Sequence, residues 1–181
     1  SYTAASREQV GRIADCMPGM FENGSIYTHG ESFFLYALAA AGRGDEWLTG
    51  LAQTLPGKLV PDISTSPIHQ QSNFFVGPEH VSFGENLFSN FTGSVTWYRR
   101  GIERVLGVLA EFDGLSIRPA PPAAWPGYEL RKQFRGSDLR FTFRRGSRSA
   151  IAIDGRTIDG DFIPAADLKP GKRYKITVEY V

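Results

Sequence analysis

An α+β fold is predicted, with helices up to about Phe112 and a small antiparallel β-sandwich over residues 113 to 181. Apolar residues recur at helical spacing in the first part and at every second position in the second, the change of period that separates a helix from a half-buried strand. With 181 residues, 41% hydrophobic and 13% aromatic, the chain carries enough apolar surface for a sizeable core.

Val10, Ile13, Ala14 and Met17 fall at i, i+3, i+4 and i+7, which predicts a short amphipathic helix stopped by Pro18-Gly19. From Ser32 to Ala41 the residues are apolar on nearly every side, the mark of a helix buried among others, and Gly42-Arg43-Gly44 ends it. Asp45 is placed as the N-cap of a third helix that runs through Leu55 and closes at Pro56-Gly57. Lys58 to Asn90 holds Pro61, Pro67, Gly77, Pro78 and Gly84 with little periodicity, so it reads as a long loop. The aromatics Phe74, Phe75, Phe83 and Phe88 make that loop an ordered, packed one. A fourth helix is expected from Thr92 to about Glu111, with Val95, Ile102, Val105, Leu106 and Leu109 inward.

After Asp113-Gly114 five strands are predicted: Leu115 to Arg118, Tyr128 to Phe134, Leu139 to Arg144, Ala150 to Asp154 and Arg173 to Tyr180. Leu139, Phe141 and Phe143 alternate with Arg140, Thr142 and Arg144, so each strand has one wet face. Gly136-Ser137, Asp154-Gly155 and Pro170-Gly171 supply turns. Lys132 interrupts the alternation of its strand, which an edge position tolerates.

A net charge of +1 with no run of five or more like charges argues against nucleic acid or an anionic membrane as partner. No signal peptide or 18-residue apolar span appears. Cys16 is the single cysteine, so no intrachain disulfide forms; the expected compartment is reducing and cytoplasmic, and the thiol reads as buried and structural. His29, His69 and His80 stand far apart with no paired cysteines, so no metal is expected. G-x-S-x-G, Walker and G-x-G-x-x-G patterns are missing. Asn23-Gly24-Ser25 and Asn90-Phe91-Thr92 fit the glycosylation pattern, which is too short to carry weight. The organisation, and a start at Ser1 without Met, read as the tail of something longer.

Two blocks place small polar residues just ahead of helical runs: Glu22-Asn23-Gly24-Ser25-Ile26-Tyr27-Thr28-His29 and Asn90-Phe91-Thr92-Gly93-Ser94. The first N–H groups of a helix lack intrahelical partners and the macrodipole is positive there, so such starts suit an anion. By spacing alone, His29 also reads as an ordinary polar residue at a helix start and Thr92 as an N-cap. Tyr27 and Trp97 read either as core aromatics or as the lining of a site.

These two blocks, followed by Phe112-Asp113-Gly114-Leu115-Ser116-Ile117-Arg118-Pro119 and Trp125-Pro126-Gly127-Tyr128, resemble in order and spacing the C-terminal portion of the glycoside hydrolase family 94 phosphorylases. The likeness runs from about Glu22 to the end. It implies the last helices of an (α/α)6 barrel over residues 1–112 and a capping β-sandwich domain over residues 113–181. The implied reaction is reversible phosphorolysis of a β-linked disaccharide or oligosaccharide with inversion, giving an α-sugar 1-phosphate. Inorganic phosphate is a co-substrate there and no cofactor is needed.

His29, Thr92 and Gly93 match the family's phosphate contacts. Asn73 matches by spacing an amide that reaches sugar hydroxyls, with an Asx turn as the other reading, and Glu22 either binds sugar hydroxyls or caps the following turn. Phe21 stands where cellobiose-type members carry Lys, which leaves the acceptor sugar open. The family's general acid is an Asp in an earlier part of the barrel with no match here, so this segment holds no catalytic residue and is expected to be inactive alone. Family members are often dimers, so a homodimer is also implied. Two other classes remain: a transferase like the cyclic β-1,2-glucan synthases, and a noncatalytic carbohydrate-binding module.

Overall fold

The computed structural model describes residues 1–54, 73–88 and 93–181. Thr92, Leu55, His69 and the second glycosylation pattern lie outside the described residues. The chain divides into two compact units, Ser1–Leu38 with Glu46–Arg100 and Ala39–Asp45 with Gly101–Val181.

The first unit opens on a 3-10 turn at Ala4–Ser6, α1 at Arg7–Val10 and a second 3-10 stretch at Gly11–Asp15. This replaces the single helix expected from Val10 to Met17, because Gly11 takes a φ of 60° and breaks the run. β1 (Ile26–Tyr27), α2 (Thr28–Ala40), α3 (Gly44–Thr54), β2 (Phe74–Phe75), β3 (Asn86–Phe88) and α4 (Ser94–Leu106) follow. α2 starts four residues before the expected Ser32, because the backbone N–H and the hydroxyl of Thr28 both donate to the Asn73 carbonyl, each at 3.1 Å. Leu35 and Leu38 of α2 and Trp47 of α3 are buried, and Gly50 lets α3 approach, since a Cβ there would stand 2.5 Å from Leu35 Cδ2. Part of the predicted loop is in fact a small antiparallel sheet, ordered β1-β2-β3.

Asn23 ties the N-terminal stretch together. It is fully buried, its Oδ1 accepts from Tyr2 N–H at 2.6 Å, and its Nδ2 donates to the carbonyls of Tyr2 and Cys16 at 2.9 and 2.7 Å. An amide used this fully is no glycosylation acceptor in the folded chain. Cys16 itself is a free, half-buried thiol.

In the second unit α4 ends at Leu106 instead of Glu111. Gly107 takes a φ of 69° and a Cβ on it would stand 2.3 Å from Pro119 N, so only glycine turns the chain here. Residues 108–110 then form β4 (Val108–Ala110), which pairs with β5 (Gly114–Ile117), and β10 (Phe162–Pro164) completes a sheet ordered β10-β5-β4. β6 (Gly127–Phe134), β7 (Ser137–Arg145), β8 (Ala150–Ile153), β9 (Arg156–Ile158) and β11 (Arg173–Tyr180) make a five-stranded sheet ordered β6-β7-β11-β8-β9. The expected all-antiparallel pairing is corrected at one place: β11 runs parallel to β7, Arg173 opposite Asp138 through Tyr180 opposite Arg145. Lys132 does sit on an edge strand, β6. Leu115, Ile117 and Ile163 of the smaller sheet share one buried cluster with Leu139, Phe141, Phe143, Ile176 and Val178 of the larger. Asp45, expected as an N-cap, lies inside α3, and its Oδ1 accepts from Ala123 N–H at 2.8 Å.

Candidate functional site

His29 sits in the first turn of α2, and the elements before it fix where its ring points. Tyr27 pairs with Phe74 across β1 and β2, and Thr28 is held by the Asn73 carbonyl, so the strand delivers the chain to the helix at a set angle. The imidazole stands edge-on to Tyr27, centroids 5.6 Å apart, and to Phe33, 4.9 Å apart. Its Nδ1 lies 3.0 Å from the Tyr27 hydroxyl. Its Nε2 faces the residue that precedes α4: a Cβ built on Gly93 would be 2.8 Å from that nitrogen. The starts of α2 and α4, each thirteen residues long, therefore meet at His29 and Gly93. Two positive helix ends with an imidazole between them suit an oxyanion.

The other residues singled out in the sequence are arranged around this pair in different ways. Thr92 lies outside the described residues. Asn73 is buried, and its carbonyl serves Thr28. Glu22 is exposed and pairs with Arg12 at 2.8 Å. A hydrogen bond from its own backbone and then the Arg12 guanidinium hold its carboxyl below the usual carboxylate range. An aromatic row leads from Phe21 beside it to the imidazole: Phe21 stands edge-on to Phe74 at 6.0 Å, and Phe74 stacks on Tyr27 at 4.7 Å. Trp97 packs against Phe33 and Tyr36, both at 5.1 Å, with the Arg100 guanidinium over its ring.

Two residues have structural surroundings that their sequence context does not signal. Asn23 stands in the first motif, yet its amide is spent on backbone. Glu31, two residues past His29, is half-buried beside a cavity of about 300 Å³ lined by Ile26, Thr28, Thr54 and Phe75 as well, and burial raises its carboxyl above the usual range. The only hint in the sequence was a lone carboxylate opening an otherwise apolar run. Among the described residues no group of three His, Cys, Asp or Glu side chains forms a metal site. No helix among them is long and apolar enough to cross a membrane.

No family model matches the chain. Curated relatives do. A solabiose phosphorylase from Paenibacillus borealis is 31% identical over 168 residues, covering 86% of this chain and 21% of the relative. A cellobionic acid phosphorylase from Neurospora crassa is 33% identical over 186 residues, covering 95% of this chain and 23% of the relative. The cyclic beta-(1,2)-glucan synthase NdvB from Rhizobium meliloti is 30% identical over 156 residues, covering 82% of this chain and 5% of the relative. The chain thus spans about a fifth of the length of the two phosphorylases.

Proposed function

Because this chain is a distant homologue of the glycoside hydrolase family 94 disaccharide phosphorylases over a partial segment of their length, we propose that it is the C-terminal part of an inverting glycoside phosphorylase. It contributes the phosphate site, with His29, Thr92 and Gly93 as contacts, to the cleavage of a β-linked disaccharide or oligosaccharide into an α-sugar 1-phosphate. The observation that carries this reading is the approach of His29 Nε2 to Gly93, which brings an imidazole and two helix starts together. Phosphate is already anionic, so the protein mainly has to position it for attack opposite the leaving oxygen. Backbone N–H groups at helix starts and a ring N–H do that without a proton transfer. The acid that protonates the leaving oxygen belongs to a part of the barrel outside this chain.

In this reading residues 1–112 are the last helices of an (α/α)6 barrel and residues 113–181 the capping sandwich. Phe34 of α2 is 62% exposed, which supports further helices packing against its side of α2. Asn73 and Glu22 are assigned to the sugar side, and Glu22 reaches a hydroxyl by giving up Arg12. The protein acts as a homodimer in this reading.

The likeness to the glucan synthase favours a second reading, in which the same C-terminal region serves a transferase. Incubating the full-length protein with β-linked disaccharides and inorganic phosphate separates the two: α-sugar 1-phosphate is the expected product. Transglycosylation without sugar 1-phosphate would assign the chain to the transferase class.

A further inference from the structure

We propose that Tyr27 is a positioning residue for His29. Its hydroxyl donates to Nδ1, holds the neutral imidazole in the tautomer that carries its proton on Nε2, and so turns an N–H toward Gly93. The consequence for anion binding rests on the phosphate reading above; the tautomer is a property of this chain whatever it binds.

A neutral imidazole has one donor and one acceptor nitrogen, and the partner of one ring nitrogen sets the state of the other. The Tyr27 hydroxyl is 3.0 Å from Nδ1. A bare imidazole nitrogen is a stronger acceptor than a phenol oxygen, so the phenol donates. Tyr27 is 43% exposed, and one face of its ring is packed. Its ring stacks on Phe74 at 4.7 Å with 15° between planes, and the two residues are Cα partners in adjacent strands. It also lies on the first turn of α2, where a Cβ on Gly30 would come within 3.1 Å of Tyr27 Cδ1. Phe33 and Tyr27 both stand edge-on to the imidazole, which limits its rotation. Nε2 then faces Gly93, with 2.8 Å to the place of a Cβ. In the opposite tautomer a lone pair would point there and repel an anion's oxygen.

Tyr27→Phe keeps the ring and its stack on Phe74 and removes only the hydroxyl. Long-range 15N–1H spectra of 15N-histidine-labelled protein, with His29→Gln to assign the resonances, are expected to show Nδ1 unprotonated and Nε2 protonated in the wild type. In Tyr27→Phe the two signals move toward the averaged positions of a freely exchanging imidazole. Titration with inorganic phosphate perturbs the His29 signals of the wild type, and the apparent Kd rises about three- to tenfold in the variant. A wild-type ring protonated on Nδ1, or a spectrum that Tyr27→Phe leaves unchanged, overturns the proposal. If Tyr27→Phe fails to fold, the wild-type ring is compared with free neutral histidine: a larger share of the Nε2–H tautomer supports the proposal, and an equal or smaller share overturns it. If the tautomer behaves as expected while phosphate leaves the wild-type signals still, the phosphate reading falls and the role of Tyr27 stands.

Discussion

His29 Nε2 lies 2.8 Å from the place a Cβ would occupy on Gly93, so these two residues, 64 apart in sequence, fit together only because one of them has no side chain. Gly93→Ala should therefore push the imidazole aside while leaving α4 intact. Overpacking of this kind costs about 1–3 kcal/mol. In the full-length protein the KM for phosphate is expected to rise about tenfold or more with little change in the KM for the sugar, read from initial rates at varied phosphate. An unchanged phosphate KM would separate Gly93 from the site.

Asn23→Ala removes three hydrogen bonds from a fully buried amide and leaves the Tyr2 and Cys16 carbonyls and the Tyr2 N–H without that partner. A loss of about 2–4 kcal/mol in unfolding free energy follows. Urea denaturation followed by circular dichroism measures it, and a loss below about 0.5 kcal/mol would show that water replaces the amide at no cost.

Glu31 gives a pH-dependent effect whose sign is fixed by burial. Its carboxyl titrates above the ordinary value in the folded chain because burial disfavours the charged form. Below the unfolded-state value both states hold the proton and Glu31 contributes nothing. As pH rises through the window up to the folded value, the unfolded state releases its proton first and stability falls, then levels off. Glu31→Gln is thus expected to match the wild type near pH 3 and to exceed it at neutral pH, in urea midpoints measured across that range. A variant less stable than the wild type at neutral pH would mean that the carboxylate has a favourable partner.

Phe141 is 1% exposed within the cluster shared by both sheets of the second unit. Phe141→Ala is expected to cost about 3–5 kcal/mol. Thermal unfolding followed by near-ultraviolet circular dichroism tests it, and a shift too small to measure would contradict the packing described.

The parts of the fold legible in the sequence are those with a long enough period. Leu139, Phe141 and Phe143 in β7, and Tyr174, Ile176 and Val178 in β11, alternate over eight or nine residues, and their buried faces followed from that. The parallel pairing of those two strands did not, because alternation says which face is wet and nothing about direction. β1, β2 and β3 are two or three residues long and carry no period. The apolar pattern carries the expected end of α4 about five residues too far, because Val108 and Leu109 continue it past the glycine that turns the chain. At the site, His29 and Gly93 drew notice through their motifs, whereas their approach depends on two helices whose packing no local signal encodes. The burial of Asn73 was hidden for the same reason, since its carbonyl is taken by Thr28, 45 residues earlier.

The most direct measurement is phosphate-dependent cleavage of a β-linked disaccharide by the full-length protein carrying His29→Ala. Loss of a donor that meets the attacking anion is expected to lower kcat/KM for phosphate by about 100-fold. The KM for the disaccharide should stay within about twofold. A phosphate dependence indistinguishable from that of the wild type would contradict the placement of the anion beside His29 and Gly93.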